Sequence, residues 1–168
     1  NNAVAEKNSS ISVLNNKIKS LELALKQAEQ PAARKKSLPS KIKYSSPETL
    51  YKKARNLLME EQYTEAAAYF STFINYHPNH ELADNAVYWL GEVYYSQANY
   101  QQAVFVFKSL VKKYPKSLKV PDALLKTAFS YMSIDDTNRA HHYLKTVIKR
   151  YPFSPAAELA QKRIEEFN

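Results

Sequence analysis

The chain has no cysteine, one glycine and two methionines among its 168 residues. Without cysteine there is neither a disulfide framework nor a cysteine-ligated zinc site. A single glycine, Gly91, cannot build the Gly-rich loop that cradles phosphate. Its scarcity also deprives an all-β fold of its usual turn residues. No apolar run approaches the ~20 residues needed to span a bilayer; the stretch at residues 103–107 is as long as any near the repeats. The opening Asn1-Asn2-Ala3-Val4 lacks the pattern of a signal peptide, so the sequence reads as a soluble mature chain or as a fragment without its natural N-terminus. Acid is scarce at the start. Residues 1–46 carry nine Lys/Arg against three Asp/Glu, whereas residues 47–168 carry fifteen against thirteen. The surplus behind the net charge of +8 therefore sits on an arm. A nucleic-acid reader would carry it on a folded surface; a solvated linker is the plainer reading.

What is present is periodic. Between Asp84 and Pro115, Val87, Leu90, Gly91 and Tyr94 fall at helical spacing, and Ala103, Phe107 and Leu110 do so again after a short polar turn. Small residues at Gly91 and Ala103 let two helices approach, with large ones around them. Pro78, Pro115 and Pro152 recur at a step of 37 residues, as do Ala66, Ala103 and Ala140, and Phe70, Phe107 and Leu144. Leu57, Tyr94 and Tyr131 keep the same step on the first helix. This is the tetratricopeptide pattern, a helix–turn–helix that cannot bury its apolar face alone. The step is three residues longer than the usual 34, with the surplus after each proline, which predicts a first helix about one turn longer than usual.

The predicted architecture is all-α: a tetratricopeptide superhelix of three 37-residue repeats plus a C-terminal capping helix, preceded by a short coiled coil. Residues 1–30 form the coiled-coil segment, 31–46 a basic flexible linker and 47–168 the repeat domain. In the first segment Val4, Ile11, Ile18 and Leu25 recur every seven residues, with Leu14, Leu21 and Ala28 at the second seam position and Lys7 as its one flaw. β-branched residues at a with Leu at d favour a parallel dimer. Pro31 ends the heptads, and an acid-free stretch of Lys, Arg, Ser and Pro follows. Ser46-Pro47-Glu48 then starts a helix with a cap, a first-position proline and an acid. The last helix, from Pro155 to about Phe167, carries Glu158, Lys162, Glu165 and Glu166 on an outer face, as a terminal repeat requires.

Chemistry-bearing clusters are absent from the pattern. His141 and His142 are helix neighbours and cannot face one metal; His77 stands where later repeats have tyrosine; Glu60-Glu61 and Asp135-Asp136 fall in turns. The sequence predicts no catalytic residue, no metal site, no cofactor and no enzyme. It predicts instead a groove lined by the first helices. Tyr51, Arg55, Leu58 and Met59 come from the first repeat, Asn85, Tyr88, Glu92 and Tyr95 from the second, and Asp122, Lys126, Phe129 and Met132 from the third. Aromatics, methionines and mixed charges suit a peptide segment, since Tyr and Arg are enriched among binding hot spots. Trp89 is expected in the core.

Residues 85–95, NAVYWLGEVYY, residues 119–126, KVPDALLK, and Tyr-Pro with serine two residues after the proline at 114–117 and 151–154 resemble the YbgF/CpoB family of periplasmic, Tol–Pal-associated repeat proteins. The order of coiled coil, linker and three repeats is similar too. Ala98-Asn99 departs from that family's Gly-containing turn, Ala128 from a common glycine, and His80 from the serine of the later repeats. The resemblance implies a non-enzymatic adaptor in the periplasm of a Gram-negative bacterium. Its partner would be TolA, with Pal and a bifunctional peptidoglycan synthase as further candidates. It would coordinate septal peptidoglycan synthesis with outer-membrane constriction in cell division, and assemble as a trimer where the heptads favour a dimer. The alternative is a generic peptide-binding scaffold or secretion chaperone unrelated to Tol–Pal. No nucleic acid or membrane insertion is expected. Light scattering should show an oligomer for residues 1–168 and a monomer for residues 44–168; two monomers would refute the seam.

Overall fold

The computed structural model describes residues 45–166. The heptad segment and the linker lie outside the described residues, so the structure leaves the seam from Val4 to Ala28 as an expectation. Within them the elements are α1 (Pro47–Met59), α2 (Tyr63–Tyr76), α3 (Ala83–Ser96), α4 (Tyr100–Lys113), α5 (Val120–Met132), α6 (Thr137–Arg150) and α7 (Pro155–Glu165). Each helix packs on its neighbours in order, and α7 packs on both α6 and α5. The described unit is thus three stacked helix pairs and a terminal helix, as the 37-residue step predicts.

The core repeats with the sequence. Ala66, Ala103 and Ala140 are wholly buried on the second helices, as are Phe70, Phe107 and Leu144, and Phe73, Leu110 and Val147. Leu50, Val87 and Leu124 answer them from the first helices. Burying each such Leu, Val or Phe side chain stabilises by about 1.5–3 kcal/mol. A Cβ on Gly91 would lie 2.7 Å from Cδ1 and Cζ of Phe107 and closer still to Cε1. The ring is wholly buried and cannot swing aside, so α3 and α4 need glycine here to lie this close. Two buried hydroxyls are satisfied locally, Thr127 donating to the carbonyl of Ala123 and Ser130 to that of Lys126, both at 2.8 Å.

The turn inside each repeat is one device used three times. The N–H groups of Gln62, Asn99 and Asp136 reach back to the carbonyls of Leu57, Tyr94 and Tyr131 at 2.8–2.9 Å. Those of Glu61, Ala98 and Asp135 reach Leu58, Tyr95 and Met132 at 3.0–3.1 Å. This is the Schellman motif, which favours glycine at the left-handed position. Here Glu61, Ala98 and Asp135 occupy it, with φ of 58°, 56° and 59°. In the second and third repeats the next residue caps the second helix at once: Asn99 accepts from the N–H of Gln102, and Asp136 from that of Arg139, whereas Gln62 makes no such bond.

The surplus residues do not lengthen the first helices. Those helices have 13, 14 and 13 residues, against 14 for each second helix. The extra length goes into the connectors, residues 77–82 and 114–119. Each opens with a tight turn, His80 N–H to His77 and Ser117 N–H to Tyr114, and closes with another, Ala83 to His80 and Val120 to Ser117. The cause is proline: Pro78 and Pro115 take the second place of the first turn, where their fixed φ suits it. His80 replaces serine without loss, because its Nδ1 accepts from the N–H of Leu82 as the hydroxyl of Ser117 accepts from Lys119. On α7 and its C-cap, Glu158, Lys162, Glu165 and Glu166 are all exposed, although Leu159 is exposed beside them.

Two substitutions should move thermal stability in opposite directions. Gly91→Ala should destabilise by about 1–3 kcal/mol through overpacking, whereas Ala98→Gly should stabilise by roughly 1 kcal/mol by relieving a left-handed alanine. Chemical denaturation checks both, and a neutral Gly91→Ala would contradict the close approach.

Candidate protein-binding face

The first helices form one face, and its side chains are held by contacts from one repeat to the next. The guanidinium of Arg55 lies 3.7 Å from the ring centroid of Trp89. Nζ of Lys126 donates to Glu92 at 2.9 Å and lies 4.8 Å from the ring of Tyr95. The guanidinium of Arg163 lies 5.6 Å from the ring of Phe129. In all three pairs the partners are 34 residues apart, at the same place in the repeat register. A cation over indole, an ion pair and a cation over phenyl thus fill one geometrical slot. Arg163 also shows that α7 stands where the first helix of a fourth repeat would.

Of the twelve residues expected to line the groove, Tyr51, Arg55, Leu58, Asn85, Glu92, Tyr95, Asp122, Lys126 and Phe129 are half-buried, and Met59 is exposed. Met132 is half-buried but leans on the cluster of Val104, Tyr131 and Ala140. Tyr88 departs from expectation. It is only 9 % exposed, edge-on to Trp89 at 5.5 Å and tilted against Phe107 at 5.7 Å. Burial raises its phenol pKa far above the ordinary value, and the nearby Glu92 and Asp122 carboxylates add to the rise. Tyr88 is therefore packing, not groove. Trp89, expected in the core, is half-buried under Arg55. Neighbouring helix positions point about 100° apart, and the interior took the tyrosine.

The face has few free charges. Glu92 and Lys126 neutralise each other with side-chain exposures of 19 % and 26 %, and Asp84 accepts from the N–H and the side-chain amide of Asn85. Burial raises the Tyr51 pKa, opposed by the polar edge of Trp89 and by the charge of Arg55. One carboxylate oxygen of Glu92 is buried without a hydrogen-bond partner. Among the described residues no three His, Cys, Asp or Glu side chains converge to hold a metal ion. Trp89 and Arg163 are members of the face that the pattern missed. The separation of 34 residues between Glu92 and Lys126, carried along the register, reaches both.

A tetratricopeptide-repeat family model matches residues 48–80, 85–117 and 122–154. The chain is a tetratricopeptide-repeat protein. Its fold is similar to the tetratricopeptide domain of Arabidopsis OM64, with a TM-score of 0.60 and 15 % identity over 73 % of this chain and 96 % of that one. It is similar also to the N-terminal domain of stress-induced protein-1 (STI-1) from C. elegans, with a TM-score of 0.59 and 8 % identity over 69 % of this chain and 92 % of that one. At such identities the likeness is one of fold. None of the curated proteins matches the chain significantly in sequence. The repeat family makes this tetratricopeptide array a protein-interaction scaffold. A double-mutant cycle with Glu92→Gln and Lys126→Met should give a coupling energy of about 1 kcal/mol that shrinks with added salt; zero coupling would remove the ion pair from the account of repeat register.

Proposed function

We propose that this protein is a periplasmic, non-enzymatic adaptor that binds TolA of the Tol–Pal system on its first-helix face and helps to coordinate septal peptidoglycan synthesis with outer-membrane constriction. The observation that carries the reading is the stretch at residues 85–95, whose similarity to the YbgF/CpoB family falls on α3, the helix at the centre of the face. Pal and a bifunctional peptidoglycan synthase are further partners in this reading. The heptad segment sets the oligomer, a trimer by resemblance and a dimer by composition.

The chemistry of the face supports a peptide-like partner. Half-buried Tyr51, Tyr95 and Phe129 offer apolar area at little conformational cost, beside cations already fixed by their contacts. Such rigid aromatic and arginine anchors are the common hot spots of interfaces. A scaffold or secretion chaperone for unrelated peptides is the second reading, favoured by the low identity of the solved neighbours, which share the fold and little else.

Calorimetric titration of the full chain with purified periplasmic fragments of TolA tests the first reading. Saturable binding is expected, with Arg55→Ala and Tyr95→Ala each costing about 2 kcal/mol as hot-spot truncations do. Trp89 is the only tryptophan, so its emission should move on binding. Binding indifferent to both substitutions would move the site off this face, and no binding by the folded protein would end the Tol–Pal reading.

A further inference from the structure

Where second helices end and the next first helices begin, the array has an edge built of its connecting loops. The first two loops enclose a hollow lined by Glu81 and Lys116, among others. Across it Tyr114 donates its hydroxyl to the carbonyl of Pro78 at 2.8 Å. One repeat further on, the positions of Glu81 and Lys116 are held by Leu118 and Phe153. Two groups of opposite charge are thus replaced by two apolar side chains. They are 92 % and 101 % exposed, so neither covers the other and the array covers neither.

Cations crowd the same edge. Lys112-Lys113 and Lys149-Arg150 close α4 and α6 in register, and Lys116 stands between Tyr114 and Leu118 in the loop. All five are exposed. Lys113 and Arg150 lie over Tyr114 and Tyr151, each 5.4 Å from the ring centroid. Against these cations the edge carries three exposed acids, Glu81 on the first hollow, Glu48 paired with His80 at 3.3 Å and Glu158 at the start of α7, and the half-buried Asp84; none of the four lies in the loops that carry Leu118 and Phe153.

We propose that this edge docks on an anionic lipid surface, with Leu118 and Phe153 entering the interface and the lysines and arginine meeting headgroups. Protrusion decides between lipid and an acidic protein. A peptide is received in a recess whose walls bury its side chains, and no such recess surrounds Leu118 or Phe153; a soft interface buries such tips without a matching pocket. Apolar tips ringed by cations fit the boundary between headgroups and acyl chains. No helix among the described residues is long and apolar enough to cross a membrane; the proposed contact is a peripheral one made by loop tips, and it uses none of the side chains named on the first-helix face.

The test is sedimentation of the full chain with phosphatidylcholine vesicles, with and without a minority of phosphatidylglycerol. Binding is expected only to the anionic vesicles, weakening with salt. It should fall on the order of tenfold or more when Leu118→Ser and Phe153→Ser are combined, with circular dichroism unchanged because both residues are exposed. Undiminished binding of that double variant would assign the attraction to the basic arm and overturn the proposal, as would no binding at all. A Phe153→Trp variant gives a second readout: its emission should shift to the blue with anionic vesicles. A shift with poly-L-glutamate and none with vesicles would make the edge a site for acidic protein and overturn the lipid assignment.

Discussion

The ring of Phe107 lies in the space left by a missing side chain at Gly91, and that approach governs how closely the two helices of a repeat can lie. In register the same places are held by Ala54 with Phe70 and by Ala128 with Leu144, all with no exposure. A large residue against a small one sets the spacing within each pair. The three turns then have to be short, because helices this close leave no room for a wandering chain. They are short at a cost. Glu61, Ala98 and Asp135 accept a left-handed backbone that glycine would adopt freely, so tight turns are kept even where the residue does not suit them.

Spacing within a pair does not fix how one pair stacks on the next, since apolar packing is non-directional. Direction comes from the slot that holds Arg55 with Trp89, Glu92 with Lys126 and Phe129 with Arg163. Each contact contributes only about 0.5–2 kcal/mol, little beside the burial around it. Each nevertheless requires one register and no other. The slot tolerates exchange of chemistry because it needs attraction rather than a given residue, and so the face can vary along its length while the stack stays regular.

Legibility in the sequence followed the same division. Features fixed by volume at a 37-residue step, the buried alanines and the Phe70, Phe107 and Leu144 series, were readable, and the helix ends came out within a few residues. The surplus after each proline was misread because three added residues suit an extra helical turn as well as a second tight turn; hydrogen bonds from Ala83 to His80 and from Val120 to Ser117 decide it, and composition does not encode them. Tyr88 and Trp89 were exchanged for a similar reason. Both are large, adjacent and aromatic, and what places one inside is Phe107 on the next helix while what covers the other is Arg55 a repeat earlier. Contacts from one helix to another, within a repeat or between repeats, are invisible to a reading that treats each helix by itself.

The positions where the repeats agree and those where they differ divide structure from recognition. Interior positions repeat because a helix pair of fixed spacing admits one volume at each. Chemistry that selects a partner must then sit where repetition is broken. Two places break it most: the inter-repeat slot on the first helices, and the loop positions where Glu81 and Lys116 give way to Leu118 and Phe153. They draw on different residues and lie at different parts of each unit, the first along helix sides and the second at helix ends. Occupying one therefore removes no side chain that the other needs. A regular stack with two independent irregularities suits the adaptor role proposed above, because one of them can hold a position while the other holds a partner.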